Sequence, residues 1–157
     1  MTTTGVTLNQ GFAGTRGASV LTLTQDATIA NQFDVPAATT FTPDQVTTLL
    51  QGQLYAIAVS AAYRNGEVRG QLAPPNIAVV GTQLNGSQEV PPLTNNAGGE
   101  GFAFTTIDDS ANTVTSVVVP LGFNDITDVE IDTGGIGATG SKLIALTNSA
   151  ATPGQSP

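Results

Sequence analysis

Two segments of this 157-residue chain repeat one another 123 positions apart. The run Gly11-Phe-Ala-Gly14-Thr-Arg-Gly17-Ala-Ser-Val-Leu-Thr-Leu23-Thr24 returns as Gly134-Gly-Ile-Gly137-Ala-Thr-Gly140-Ser-Lys-Leu-Ile-Ala-Leu146-Thr147, and the match extends upstream from Thr4 onto Thr127 and from Val6 onto Val129. Each copy reads as a strand, a glycine-spaced turn and a second strand. A folded unit with one slot for this element cannot hold both copies, so the spare has to pair elsewhere. The spacing is domain-sized, whereas solenoid repeats are roughly 20 to 50 residues; what recurs would be a domain cut out of phase.

Composition narrows the chemistry. Four Lys and Arg stand against twelve Asp and Glu, a net charge of -8. Such a chain repels a phosphate backbone, whose affinity comes largely from cation contacts, so no nucleic-acid partner is expected. Without Cys or His, disulfides, thiol nucleophiles, the usual general base and the commonest transition-metal ligand are gone. No run approaches the roughly 20 apolar residues of a membrane span, so no membrane insertion is expected. The opening Met-Thr-Thr-Thr-Gly-Val lacks the basic start and apolar core of a signal peptide; a secreted form would begin after processing or be a piece of something longer.

Thr, Gly, Ala, Asn and Val dominate, a profile of short strands and turns. Strands are expected at residues 6–9, 18–24, 28–35, 54–60, 67–72, 77–84, 100–107, 113–121, 127–132 and 141–147. Arg64-Asn65-Gly66 reads as a tight hairpin, because Asn-Gly supplies the positive φ such turns need. Thr42-Pro43-Asp44-Gln45 carries a helix start, with an N-cap Thr, Pro at the first helical position and Gln three residues after the cap. With Val46, Leu49 and Leu50 on one face, a short helix is predicted near residues 43–51. About ten short strands separated by turns argue for an all-β fold, an antiparallel β-sandwich or barrel.

Three strings go together: Leu84-Asn-Gly-Ser-Gln-Glu89-Val90-Pro91-Pro92; Asp132-Thr-Gly-Gly-Ile-Gly-Ala-Thr-Gly140 leading into a strand; and Leu50-Gln-Gly52-Gln-Leu-Tyr55 with Gly66-Glu67-Val68-Arg69-Gly70-Gln71-Leu72. In these the chain resembles the CHRD domain, named for chordin and widespread in bacterial surface and secreted proteins. The resemblance implies an immunoglobulin-like sandwich in an extracellular or cell-surface interaction or structural module without established catalysis. It also implies a permuted order. In the family the Glu-Val-Pro-Pro half precedes the Gly-Glu-x-Arg-Gly-Gln-Leu half; here residues 5–72 resemble the second half and residues 81–147 the first, with 73–80 as linker and 148–157 as a loose polar tail. An array of such domains cut in mid-domain predicts this order, and so does a subunit that completes itself with its neighbour. Family members often carry His-x-His before the glycine turn and a further His after the helix; the matching positions are Glu130 and Asp132, and Val59 or Ser60, so the resemblance brings no histidine metal site.

The remaining constellations have structural uses. Gly135-Ile-Gly137-Ala-Thr-Gly140 fits a dinucleotide fingerprint, but a strand is expected after it where a pyrophosphate site needs a helix N-terminus, so no cofactor is expected. Asp125, Asp128, Glu130 and Asp132 gather carboxylates of the kind that suits Ca²⁺, although an acidic strand face in an acidic protein is the plainer use. Glu67 and Arg69 share a strand face, and a structural ion pair of Arg69 with Glu67, or with Glu89, is expected.

The sequence therefore predicts a non-enzymatic extracellular structural protein, a subunit of a filament or surface array joined head to tail to copies of itself by strand exchange. Ala18, Val20, Leu21 and Leu23, with their counterparts Leu143, Ile144 and Leu146, are the candidate self-assembly residues. The rival reading is a monomeric secreted module that binds a growth factor or a glycan.

Overall fold

Alternation of β-branched with small polar residues puts most of the chain into short strands, and the computed structural model describes residues 2–93, 99–122 and 126–147. In chain order its elements are β1 (Thr3–Gln10), β2 (Ser19–Thr22), β3 (Thr24–Gln25), β4 (Phe33–Asp34), α1 (Pro43–Leu50), β5 (Leu54–Ser60), β6 (Val68–Leu72), β7 (Ile77–Asn85), a 3-10 turn (Gly86–Gln88), β8 (Glu100–Asp108), β9 (Thr113–Leu121), β10 (Val129–Asp132) and β11 (Lys142–Leu146). They form sheets in the orders β2-β1-β5-β6 and β7-β8-β9 and two ribbons, β3-β4 and β10-β11. The fold is all-β with one short helix, and of the two arrangements expected the closed barrel does not form among the described strands. The chain divides into two compact units, residues 1–82 with 103–117 and residues 83–102 with 118–157.

The first unit is built around β1 and β5. They pair antiparallel from Gly5↔Val59 to Gln10↔Leu54, β2 covers the other edge of β1, and β6 covers the other edge of β5. As an inner strand β5 is the most apolar, and Leu54 and Tyr55 are fully buried, each contributing roughly 1.5–3 kcal/mol by burial. Ala13 in the glycine turn and Ile77 at the start of β7 complete the buried apolar set among the described residues. Thr42 and Gln45 form the expected capping box, with the Gln45 N–H donating to Thr42 Oγ1 at 3.2 Å and the Thr42 N–H to Gln45 Oε1 at 2.8 Å. The helix face is less covered than its spacing implies, since Val46 and Leu50 are both exposed.

Two expectations are corrected here. Residues 28–35 do not form one strand, because the Asp26 carboxylate captures their backbone: Oδ1 accepts from Thr28 N, Thr28 Oγ1 and Ile29 N, all at 2.7 Å. The chain turns, Asp26 N donates to Gln32 O, and only Phe33–Asp34 remain extended, against β3. The Arg64-Asn65-Gly66 turn is wider than a two-residue hairpin, with Ser60 and Gly66 N–H both donating to Tyr63 O. Residues 73–80, expected as a linker, carry contacts of their own. The Asn76 amide donates to Asp108 Oδ1 and Ser110 Oγ, each at 3.2 Å, its carbonyl accepts from Asp109 N, and Ile77 is buried.

In the second unit, Asn85 caps the 3-10 turn by accepting from Ser87 N at 3.2 Å, and Leu93 N donates to Gly86 O at 3.0 Å. The expected loose tail at residues 148–157 lies outside the described residues.

These carboxylate turns set an acid limit. Hydrogen bonds from the Thr28 hydroxyl and the Thr28 and Ile29 amides lower Asp26 from 3.8 to about 2. Asp108 is lowered in the same direction, first by the Ser110 hydroxyl and then by the Ala111 amide. A carboxylate held below its unfolded value contributes stability above that value and loses it as pH falls through the folded one. Thermal melts of the native chain should therefore drop between about pH 4 and pH 2. Asp26→Asn keeps the acceptor oxygen but removes the titration, so its melting temperature should fall less steeply over that window.

Candidate functional site

The glycine turn between β1 and β2 is held by its main chain. Thr15 N donates to Phe12 O, Gln10 N to Ala18 O, and Gly11 N to Gln53 O. A Cβ on Gly17 would overlap the Gln10 carbonyl oxygen, so only glycine fits. Three side chains of the neighbouring strands clasp this turn. Gln71 Nε2 lies 2.8 Å from Gly11 O, 2.8 Å from Gly52 O and 3.0 Å from Leu54 O. Arg69 donates to Phe12 O at 2.8 Å and to Thr15 O, while the Tyr55 hydroxyl accepts from Gly17 N at 3.1 Å. The guanidinium lies 3.5 Å from the Tyr55 ring centroid, a cation–π stack. Burial lowers the Arg69 pKa, and the nearby Arg16 charge lowers it further.

The C-terminal copy has the same construction. Pairing of β1 with β2 runs Thr7↔Thr22, Leu8↔Leu21, Asn9↔Ser19, with a bulge between Leu8 and Asn9. Pairing of β10 with β11 runs Glu130↔Ala145, Ile131↔Ile144, Asp132↔Lys142, with a bulge between Ile131 and Asp132. Ala138 N donates to Gly135 O and Thr133 N to Ser141 O, and a Cβ on Gly140 would overlap the Thr133 carbonyl oxygen. Every one of these features sits at the offset seen in the sequence.

What differs is the surroundings. The outer edge of β1 is taken by β5, but β10 pairs only with β11 among the described strands. Ala13 is 6% exposed and its counterpart Ile136 is 109% exposed, with Leu143 at 63% and Ile144 at 38%. Among the described strands, the repeated hairpin of the second unit has no counterpart of the β5–β6 sheet that flanks it in the first.

The sequence-expected residues fall as follows. Val20 and Leu21 are half-buried on β2, and Leu23 just beyond it donates its N–H to Val6 O, while Ala18 is exposed at the end of the turn. Leu143, Ile144 and Leu146 lie on β11, the first two exposed. The element that joins the hairpin to the rest of the sheet is however β1, so its counterpart β10 presents the edge with a known partner type. In the acidic group Lys142 Nζ reaches Asp128 Oδ2 at 3.1 Å and Glu130 Oε2, Asp132 is exposed on β10, and Asp125 lies outside the described residues. Exposed pairs of this kind contribute under about 1 kcal/mol.

The expected pairing of Arg69 with Glu67 is replaced by the carbonyl contacts above. The turn carbonyls need donors, and the guanidinium reaches them, leaving Glu67 Oε1 buried without a hydrogen-bond partner among the described residues. Glu89 follows the 3-10 turn in the second unit. Side-chain patterns missed Gln71 and Tyr55, whose partners are main-chain atoms. Their one sequence signal was their place in the strings shared with the family.

An open-faced antiparallel module, with a backbone-reading clasp and a repeated hairpin, is the class these features define. Among the described residues no group of three or more His, Cys, Asp or Glu side chains is placed to share a metal ion, and no helix is long and apolar enough to cross a membrane. The CHRD domain model matches residues 1–72 and 80–156, one hairpin falling in each stretch, and the chain belongs to the CHRD domain family. No curated protein and no solved structure matches it.

Removing the clasp should loosen the first unit. Arg69→Ala forfeits three charge-assisted hydrogen bonds, to Phe12 O, Thr15 O and Gln71 Oε1, at a partly solvated position and should cost about 1–2 kcal/mol, read as a lower urea midpoint. Gln71→Ala should cost a similar amount.

Proposed function

We propose that this chain is a non-enzymatic, extracellular structural protein that joins copies of itself head to tail by strand exchange. The observation that carries the reading is the pair of equivalent hairpins, one seated against β5 and one whose corresponding edge has no partner among the described strands. An open edge of this kind is a template for strand addition, and main-chain pairing there supplies affinity and register. A contact between unlike ends does not close on itself unless the rotation happens to, so open helical growth follows. Membership of the CHRD family supports the extracellular setting.

One observation favours the rival reading, a monomeric secreted binding module. A cleft of about 370 Å³ in the first unit is lined by Asn9, Arg16, Tyr55, Glu67 and Arg69, and the unpartnered Glu67 Oε1 is a hydrogen-bond acceptor beside it. With Ile57 and Val68 also in its lining, this mixed cleft suits a small hydroxyl- or amine-bearing group such as part of a glycan.

Sedimentation velocity over a hundredfold range of concentration, with negative-stain microscopy of the same samples, separates the two. Self-assembly predicts a series of species that lengthens with concentration and ends in fibres or arrays. A single sharp monomer throughout would overturn the assembly reading in favour of the binding module.

A further inference from the structure

Resting on that self-assembly reading, we infer which end donates, where it docks and in what register. The β10–β11 hairpin of one chain takes, on a second copy, the place held by that copy's own β1–β2 hairpin. β10 then pairs with the acceptor's β5 as Val129↔Ala58, Glu130↔Ile57, Ile131↔Ala56 and Asp132↔Tyr55.

The register follows from equivalence. Within the chain Val6, Thr7, Leu8 and Asn9 face Ala58, Ile57, Ala56 and Tyr55, and Val129, Glu130, Ile131 and Asp132 stand at the matching positions of the second hairpin. Gly11 N donates to Gln53 O, and by the two-residue alternation of an antiparallel ladder the Thr7 and Asn9 amides also point towards β5. Their counterparts, the Glu130 and Asp132 amides, point outward from the β10–β11 ribbon. The apolar positions carry over as Leu8 to Ile131, Val20 to Leu143, Leu21 to Ile144 and Leu23 to Leu146. Exposed Ile136, three carbons larger than Ala13, requires the acceptor to open around it, and Gly135 brings no ring where the acceptor's own hairpin has Phe12.

The socket accepts either hairpin because it reads main chain. Arg69 and Gln71 bind the carbonyls of Phe12, Thr15 and Gly11, and Tyr55 accepts from the Gly17 amide. The equivalent atoms are the carbonyls of Gly135, Ala138 and Gly134 and the amide of Gly140, and none depends on side-chain identity. Charge then favours the copy from another chain. The N-terminal hairpin carries Arg16 and no carboxylate, so it sets a cation beside Arg69. The C-terminal hairpin has Thr139 at that position and carries Asp128, Glu130 and Asp132 against one Lys142. Exchange relieves a like-charge contact at Arg69 and brings carboxylates onto the same sheet.

Because the chain has no cysteine, the register can be read by cross-linking. In a non-hydrogen-bonded antiparallel pair the Cα atoms stand about 4.5 Å apart, within the range a disulfide spans. Full-length Ile131→Cys and Ala56→Cys chains of different mass tag should give a mixed disulfide dimer on oxidation. Ile131→Cys with Ile57→Cys, which points to the opposite face, should give at least tenfold less. A chain carrying both Leu8→Cys and Ala56→Cys locks its own hairpin in place; when oxidised it should form at least tenfold less oligomer than the native chain and recover on reduction. If the native chain assembles but the mixed dimer is absent and the locked chain assembles undiminished, this donor and register are wrong while self-assembly stands. If the native chain stays monomeric at every concentration, the self-assembly reading fails and this inference with it.

Discussion

The antiparallel ladder between β1 and β5 is the interaction on which the rest depends. It places Leu54 and Tyr55 at the centre of the first unit, with β2 and β6 covering the outer sides of the pair. It also brings the glycine turn within reach of Arg69, Gln71 and the Tyr55 hydroxyl. Almost everything that recognises the hairpin is a backbone hydrogen bond or a clasp on a backbone atom. A hairpin of the same shape therefore meets the same requirements, and this chain carries two.

That equivalence turns a repeat into a physical problem. The second hairpin keeps the bulge, the close glycine contact and the turn hydrogen bonds of the first, so its conformation is specified locally and survives without a covering sheet. Its apolar residues are not served in the same way, because Ile136 and Leu143 remain in water at a cost of roughly 25 cal/mol for each Å² of apolar surface left unburied. A β5-type strand from another copy would resolve both deficits at once, the open edge and the exposed apolar surface.

Much of the architecture was legible in the residues. Thr42 and Gln45 announce the helix start by a reciprocal hydrogen bond local to four residues, and the alternating or apolar runs at residues 54–60 and 113–121 coincide with β5 and β9. Local pattern failed where one side chain competed with the ladder. Thr28, Ile29 and Val35 favour a strand by type, yet the Asp26 carboxylate takes the amides that a strand would need. The candidate site was legible as a repeat but not as an edge. Apolar spacing pointed to residues 20–23, while the pairing runs through β1, whose Gly5, Thr7 and Asn9 look unremarkable because their contribution is main-chain. For Arg69 the nearest carboxylate in sequence was the obvious partner, and the carbonyls of a turn 54 and 57 residues away were not visible.

The most direct measurement is amide hydrogen exchange at Glu130 and Asp132 in assembled and dissociated chain. These two N–H groups point away from β11, so without a partner they exchange freely. Docking on a β5 strand should slow both by roughly a hundredfold or more on assembly, as stable ladder pairing does. Unchanged exchange at both positions in the assembled protein would contradict the account.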